Sequence, residues 1–282
     1  MQKDVHFYLT YALARKARIR NNDALKIAWS DQYTDDLTIS DLHGIQTQSA
    51  VLGNWLDKQI QRSVLVPFHF LPGDNSEQPW VVTPDNRKAH ILFEKANASL
   101  DLFQLGIALH ALQDTFSHQG FTGWDEKINA CYPWYYIQSG LPDIGHAEMA
   151  ALPDIASAVW TDPRNGELIF NADRVMDCAI RTFRMLAISN MVPVTYRAAE
   201  PGGKGIFDMP EQEQSTLKNI FQIENYDARK KALIDFSDDR VRYSKINKKF
   251  KVLFKRQFIA AASKHLAAAI ELIKDLPSKN QN

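Results

Sequence analysis

The chain has 282 residues, 45% hydrophobic and 23% charged, a composition that excludes a disordered chain and is long enough to bury a substantial core. Its 33 basic residues balance its 33 acidic ones, which excludes a global field drawing it to nucleic acid or anionic lipid, so any such binding must be local. Cys131 and Cys178 have no CxxC spacing, which excludes a thiolate zinc cage and a disulfide framework and leaves any bound metal to histidine and carboxylate.

The N-terminus, Met-Gln-Lys-Asp-Val-His, enters an amphipathic pattern without the apolar run of a secretory signal. No apolar stretch reaches transmembrane length. The expectation is a cytoplasmic protein, or one exported without a cleavable signal, for example as an effector. Val5, Leu9, Ala12 and Leu13 share a face, predicting a helix from about Asp4 to Arg18. Asn22 or Asp23 caps a second, which runs to about Tyr33 and ends in Thr34-Asp35-Asp36. From Gly53 to Trp80, Pro67, Pro72, Gly73 and Pro79 mark turns, and His69 is expected in irregular structure. Thr83-Pro84 opens a helical stretch, and Ser99 to His118 is strongly helical. Gln119 to Gly145 reads as an aromatic, turn-rich loop. Helical pattern returns from near Asn171 through Met191, from about Pro210 to Ile223, from Asn225 to Phe236 and from about Lys248 to Leu276. No alternating strand pattern persists, so the expected class is all-α, as a single domain over 1–282. Its site motifs lie within 4–155, and helices over 171–276 complete the core.

The chemistry concentrates in His110, Asp114 and His118, at i, i+4 and i+8. Each step turns ~400°, so the three line one stripe over a rise of ~12 Å, too long for one metal and suited to two. A carboxylate between two imidazoles can bridge or order a metal pair ~3.5–4 Å apart. Taken singly, each has a structural reading, as a satisfied core histidine, a helix polar residue or a partner of the helix C-terminus. Together, three polar groups on a helix otherwise built of Leu, Ile and Ala are expensive to bury without a ligand. His6, Asp31, Asp35, Asp36, His69, His146, Glu148 and Asp154 are further candidates, whereas His43, His90 and His265 read as structural. Trp124 and Trp134, in the loop that leaves after His118 and returns before His146, form either a wall for substrate or a satellite core.

Asp4-Val5-His6-Phe7-Tyr8, Gln32-Tyr33-Thr34-Asp35-Asp36, Phe68-His69-Phe70-Leu71-Pro72, the His110 to His118 segment and Gly145-His146 through Pro153-Asp154 resemble an uncharacterised bacterial family. That family is more distantly similar to the superfamily of zinc-dependent phospholipase C and fungal single-strand nucleases. The resemblance implies a multi-helix phospholipase C/nuclease-like fold holding one to three divalent ions, zinc above all. By motif the implied ligands are His6, Asp35, His69, His110, Asp114, His118 and His146. The chain lacks the superfamily's N-terminal tryptophan, and Ala150 stands where a carboxylate would follow His146, leaving Asp154 or Glu148 as substitutes. The implied chemistry is metal-assisted phosphoester hydrolysis on a lipid headgroup, nucleotide or nucleic acid, in which a divalent ion lowers the pKa of water toward ~7. Asp35, where it is not a ligand, would accept the proton.

Two other readings stay open: a catalytically silent domain that binds metal or a partner on the same fold, and a relative of the HD phosphohydrolases, although no His-Asp dipeptide occurs. Gly202-Gly203-Lys204-Gly205 lacks Walker spacing and reads as a surface loop. The segment 240–256 carries eight basic residues and no acidic one, either a solvated face or a surface for anionic partners.

Overall fold

In the computed structural model, residues 1–38, 45–48, 56–131, 142–192 and 208–277 are described. The chain opens with a π-helical stretch, Asp4–Leu9, that continues as α1 (Thr10–Lys16), and α2 spans Asn21–Asp36. The short α3 (Lys58–Ile60), capped by the Asp57 carboxylate, leads into a second π-helical stretch, Gln61–His69. His69 therefore ends a helical segment instead of lying in irregular structure. Pro67 misled the sequence reading: proline breaks an α-helix, but here the wider i→i+5 pattern persists around it, down to the Phe70 amide on the Leu65 carbonyl at 2.8 Å.

Asn86 caps α4 (Arg87–Ser99), its side chain accepting from the Ala89 amide. Leu100, in the left-handed region, turns the chain, and Asp101 starts α5 (Leu102–Ser117) by accepting from the amides of Phe103 and Gln104. Every α5 residue from Gln104 to Ser117 is buried, so this helix is apolar nearly all round and sits at the centre. Against it lie α2, α4, the π-helical Gln61–His69, α6 (Asn171–Ile188) and α9 (Tyr243–Ile273). The closest approach is to α2, and Gly106 permits it, because a Cβ there would collide with the Ile27 carbonyl.

Two further helices, α7 (Glu211–Phe221) and α8 (Tyr226–Phe236), pack on α6 and on the N-terminal stretch respectively. Buried Arg229 of α8 holds that stretch: it donates to the Asp4 carboxylate, to the Ile223 carbonyl at 2.6 Å and to Ser157 Oγ at 3.1 Å. One hydrophobic core cluster runs from Met1 to Ala269, which binds the N-terminal motifs to the C-terminal helices. The class is all-α. Among the described residues an antiparallel pair, β1 (Val159–Thr161) with β2 (Leu168–Phe170), also departs from the sequence reading, its three-residue strands being too short to leave a period-two signal. Among the described residues no helix is long and apolar enough to cross a membrane.

Candidate metal centre

The i, i+4 spacing on α5 brings His110 Nε2 to 3.3 Å from Asp114 Oδ2, both side chains essentially without solvent exposure. His118 stands one turn further on, as the residue that ends the helix. The two π-helical stretches each deliver one imidazole, His6 and His69, and α2 delivers Asp31 and Asp35 one turn apart. The chain after the aromatic loop returns with Gly145, whose left-handed backbone lies against the Phe70 ring, and so brings His146 beside His118 with ring centroids 4.9 Å apart.

Three groups of metal-competent atoms result: His6, His110 and Asp114; Asp35, His69 and His110; and His118, His146 and Asp154. Around the second, His69 Nδ1, His110 Nε2 and Asp114 Oδ2 lie 3.1, 3.1 and 3.3 Å apart, and Asp35 Oδ1 is 3.8 and 3.7 Å from the two nitrogens. Ligands about 2.0–2.1 Å from a tetrahedral ion stand roughly 3.3–3.4 Å from one another. These four atoms have nearly that spacing. In the third group His118 Nε2 is 3.2 Å and His146 Nε2 3.3 Å from the Asp154 carboxylate.

The outer bonds of the imidazoles determine which nitrogen faces inward. His69 Nε2 lies 2.6 Å from the Thr47 carbonyl, His118 Nδ1 2.7 Å from the His69 carbonyl, and His146 Nδ1 2.8 Å from the Ala150 carbonyl. A carbonyl can only accept, so each of these nitrogens carries the proton. The opposite nitrogen then turns a lone pair into the cluster. Asp31 does the same for two rings at once, with Oδ1 2.9 Å from His6 Nδ1 and 3.3 Å from His110 Nδ1, while Thr10 Oγ1 donates to its other oxygen at 2.7 Å. His6 Nδ1 is also 2.9 Å from Gln113 Oε1, and its buried Nε2 faces Asp114 Oδ1 at 3.2 Å without forming a hydrogen bond.

Four carboxylates, Asp31, Asp35, Asp114 and Asp154, meet here. The cation set among them is the amino group of Met1, 2.6 Å from Asp114 Oδ1 and 3.1 Å from Asp154 Oδ1. Burial opposes charge on that amino group, but the carboxylates outweigh it and raise its pKa to about 12. Burial likewise opposes the His110 imidazolium, and Asp114 and Asp35 raise it to about 10. Asp114 is held well below the usual carboxylate range, against burial, by the amino group, His118 and His110. Opposite charges here hold one another: the carboxylates keep the Met1 ammonium and the His110 imidazolium protonated, and these in turn keep Asp114 ionised.

Of the residues singled out in the sequence, the structure brings His6, Asp35, His69, His110, Asp114, His118, His146 and Asp154 together. Glu148 is turned elsewhere, accepting from the Cys131 amide at 2.6 Å. Trp124 is buried edge-to-face against Trp80, centroids 5.2 Å apart, in a satellite cluster with Val66 and Ile273. Trp80 and Val66 of the π-helical segment supply the packing partners of its ring. Trp134, like His43 and the 202–205 loop, lies outside the described residues. His90 pairs with Asp85 at 2.7 Å and His265 with the Pro67 carbonyl at 3.1 Å, and neither belongs to a group of metal-competent atoms. The sequence reading left Asp31 without a role and missed Gln113 and the Met1 amino group. Asp31 lies one turn before Asp35, and Gln113 adjoins Asp114, but nothing in composition distinguishes either from an ordinary polar helix residue.

The fold and this cluster together define an all-helical protein with a buried histidine-aspartate centre. The chain belongs to a family of unknown function (DUF6765), whose model matches residues 1–275. No curated protein and no solved structure matches it.

Proposed function

We propose that the chain is a metal-dependent phosphoester hydrolase, with zinc as the ion its ligand set suits best. The observation that carries this reading is the inward convergence of imidazole lone pairs on carboxylate oxygens, with His69 Nδ1 and His110 Nε2 only 3.1 Å apart. Lone pairs repel at that distance unless a proton or a cation stands between them. Histidines that donate outward to a carbonyl or carboxylate while offering the other nitrogen inward have the arrangement that metal-bound imidazoles adopt. The fully buried Nε2 of His6, in no hydrogen bond although Asp114 Oδ1 stands 3.2 Å away, supports the same reading, since a buried ring nitrogen outside any hydrogen bond is costly.

His69, His110 and Asp114 would hold one ion, with Asp35 beside it, and His118, His146 and Asp154 a second, with Asp114 reaching toward both groups. Bound there, a divalent ion supplies an acidified water and stabilises negative charge on phosphoryl oxygens. Asp35 is 23% exposed and Asp154 21%, whereas Asp114, His69 and His110 are sealed, so within the first group Asp35 is the carboxylate that incoming substrate and water meet. Standing farther from the nitrogens than Asp114 does, it is placed to take up a proton from the attacking water. His69 and His110 orient the centre, and Asp31 holds the His6 and His110 rings.

Elemental analysis of the purified protein, followed by assay of the zinc-loaded form on a panel of phosphomonoesters, phosphodiesters and phospholipids, tests the reading. Bound zinc together with hydrolysis that Asp35→Asn abolishes without loss of zinc is expected. Failure to take up any divalent ion would sink the metal reading. Zinc uptake with no turnover across the panel would decide for a silent metal-binding domain.

A further inference from the structure

The outward face of the first half of α9 takes no part in the centre. Lys245, Lys248, Lys249, Val252, Leu253 and Arg256 recur at three- and four-residue spacing and so project to one side of the helix. The other side buries Tyr243, Phe250 and Phe258 in the core. Val252 is 83% exposed and Leu253 51%, an unusual outlay of branched aliphatic surface among cations. Farther along the same helix the cations are neutralised, Lys264 by Asp101 at 3.4 Å and Lys274 by Glu271 at 2.5 Å. The four on this face enter no ion pair with any described residue. Since basic and acidic residues balance over the whole chain, the excess here is local.

We propose that this face docks the protein on an anionic phospholipid surface, with α9 lying along the headgroups and Val252 and Leu253 entering the boundary with the acyl chains. Three of the four cations are lysines, compact charges on flexible stems, which suit mobile, diffuse anionic headgroups better than the fixed forks that arginine offers to a defined phosphate. Aliphatic tips interleaved with cations are the surface that partitions into a bilayer interface. A groove for single-stranded nucleic acid would set aromatic rings among the cations for bases to stack on, and this face shows none. The position also suits the centre. Lys251 Nζ lies 5.3 Å from the Tyr33 ring centroid and the Tyr243 hydroxyl donates to Asp36, so the basic half of α9 runs beside the end of α2 that carries Asp35. The proposal goes beyond the metal reading and does not depend on it.

The test is co-sedimentation of the full chain with vesicles of phosphatidylcholine alone and of phosphatidylcholine mixed with phosphatidylserine, with and without chelator. Binding to the mixed vesicles should be tighter by roughly tenfold or more, should weaken as salt is raised, and should be unchanged by chelator. The triple variant Lys245→Glu, Lys248→Glu, Lys249→Glu should abolish it. The double variant Val252→Ser, Leu253→Ser should weaken it severalfold, with the circular dichroism and melting temperature of the parent in both cases. Equal binding to the two vesicle types, salt-independent binding, or variants that bind like the parent would overturn the proposal. So would retention of a short duplex DNA or a single-stranded RNA in place of vesicles. Loss of binding on chelation would overturn the independence of the two sites, whereas zinc uptake and hydrolysis are read separately.

Discussion

Asp31 touches two imidazoles and no other ring of the cluster, so its effect can be separated from that of a ligand. Asp31→Asn keeps the size of the side chain and weakens the charge that holds the His6 and His110 rings. It should lower zinc affinity by about 10–100-fold while leaving the number of ions unchanged. Titration against a chromophoric chelator would show this, and a variant that loses a whole ion would make Asp31 a ligand instead. Asp114→Ala should do more, removing zinc that His90→Ala retains, because Asp114 lies within 3.3 Å of His6, His69 and His110 while the His90 ring pairs with Asp85. Equal zinc content in the two variants would contradict the assignment of the centre.

Protonation at the same residues predicts how zinc binding depends on pH. With its pKa raised to about 10, His110 is protonated at neutral pH in the metal-free protein, and an ion has to displace that proton. Affinity should therefore rise with pH toward about 10, with roughly one proton released from His110 on binding. Calorimetry in buffers of different ionisation heat measures that release, and pH-independent uptake would contradict it. For the metal-free fold the signs run oppositely at the two partners. His110, raised above 6.5, contributes fully below 6.5 and loses its contribution as pH rises through about 10. Asp114, depressed below 3.8, contributes above 3.8 and loses its contribution as pH falls through its lowered value.

At the level of elements, the distance between α2 and α5 decides whether Asp31 and Asp35 reach the α5 stripe. Gly106 sets that distance, since a methyl group there would strike the Ile27 carbonyl and crowd Ser30, whose hydroxyl donates to the Phe103 carbonyl at 2.7 Å. Gly106→Ala adds helix propensity at a helical position and would stabilise an isolated helix. In this protein it should instead destabilise by about 1–3 kcal/mol, because the helices must separate. Denaturant unfolding would measure it, and zinc affinity should fall in the same variant as the α2 carboxylates retreat. The π-helical stretches act in a similar way: each places one imidazole at a bend that an ideal α-helix would point elsewhere. Asp4, two residues before His6, is fastened by Arg229, so the position of His6 depends on a helix more than two hundred residues away.

Across the whole molecule, the centre draws on α2, α5, both π-helical stretches and the segment ending in Asp154, so an ion there would bind elements far apart in sequence. A ligand that binds only the folded state stabilises it by about 2.7 kcal/mol at a hundredfold excess over its Kd. Zinc should accordingly raise the melting temperature of the parent by several degrees, and chelation should reverse it, with no such shift in Asp114→Ala. A melting temperature indifferent to zinc would mean that the cluster is a proton-filled core network.

The all-helical class and most helix positions were legible because hydrophobic periodicity is a local signal, but the caps were not: Asn86 starts α4 and Asp101 starts α5, where the sequence reading placed Thr83-Pro84 and Ser99, and α2 begins at Asn21 with neither Asn22 nor Asp23 as its cap. The stripe of His110 and Asp114 was legible too, since it depends only on helical pitch. His6, Asp35, His69, His146 and Asp154 could be named as candidates, but not joined, since nothing local says that residues 4, 35, 69 and 146 approach one another. Only tertiary structure decided that, through the close contact of α5 on α2 at Gly106 and the turn at Gly145. It also gave Asp31 its place, and it put Trp124 against Trp80, because packing partners for a large apolar ring are chosen by the whole fold. The sequence by itself determined which side chains could carry metal chemistry. The fold decided which of their nitrogens face inward, because that depends on carbonyls, such as that of Thr47, supplied by distant parts of the chain.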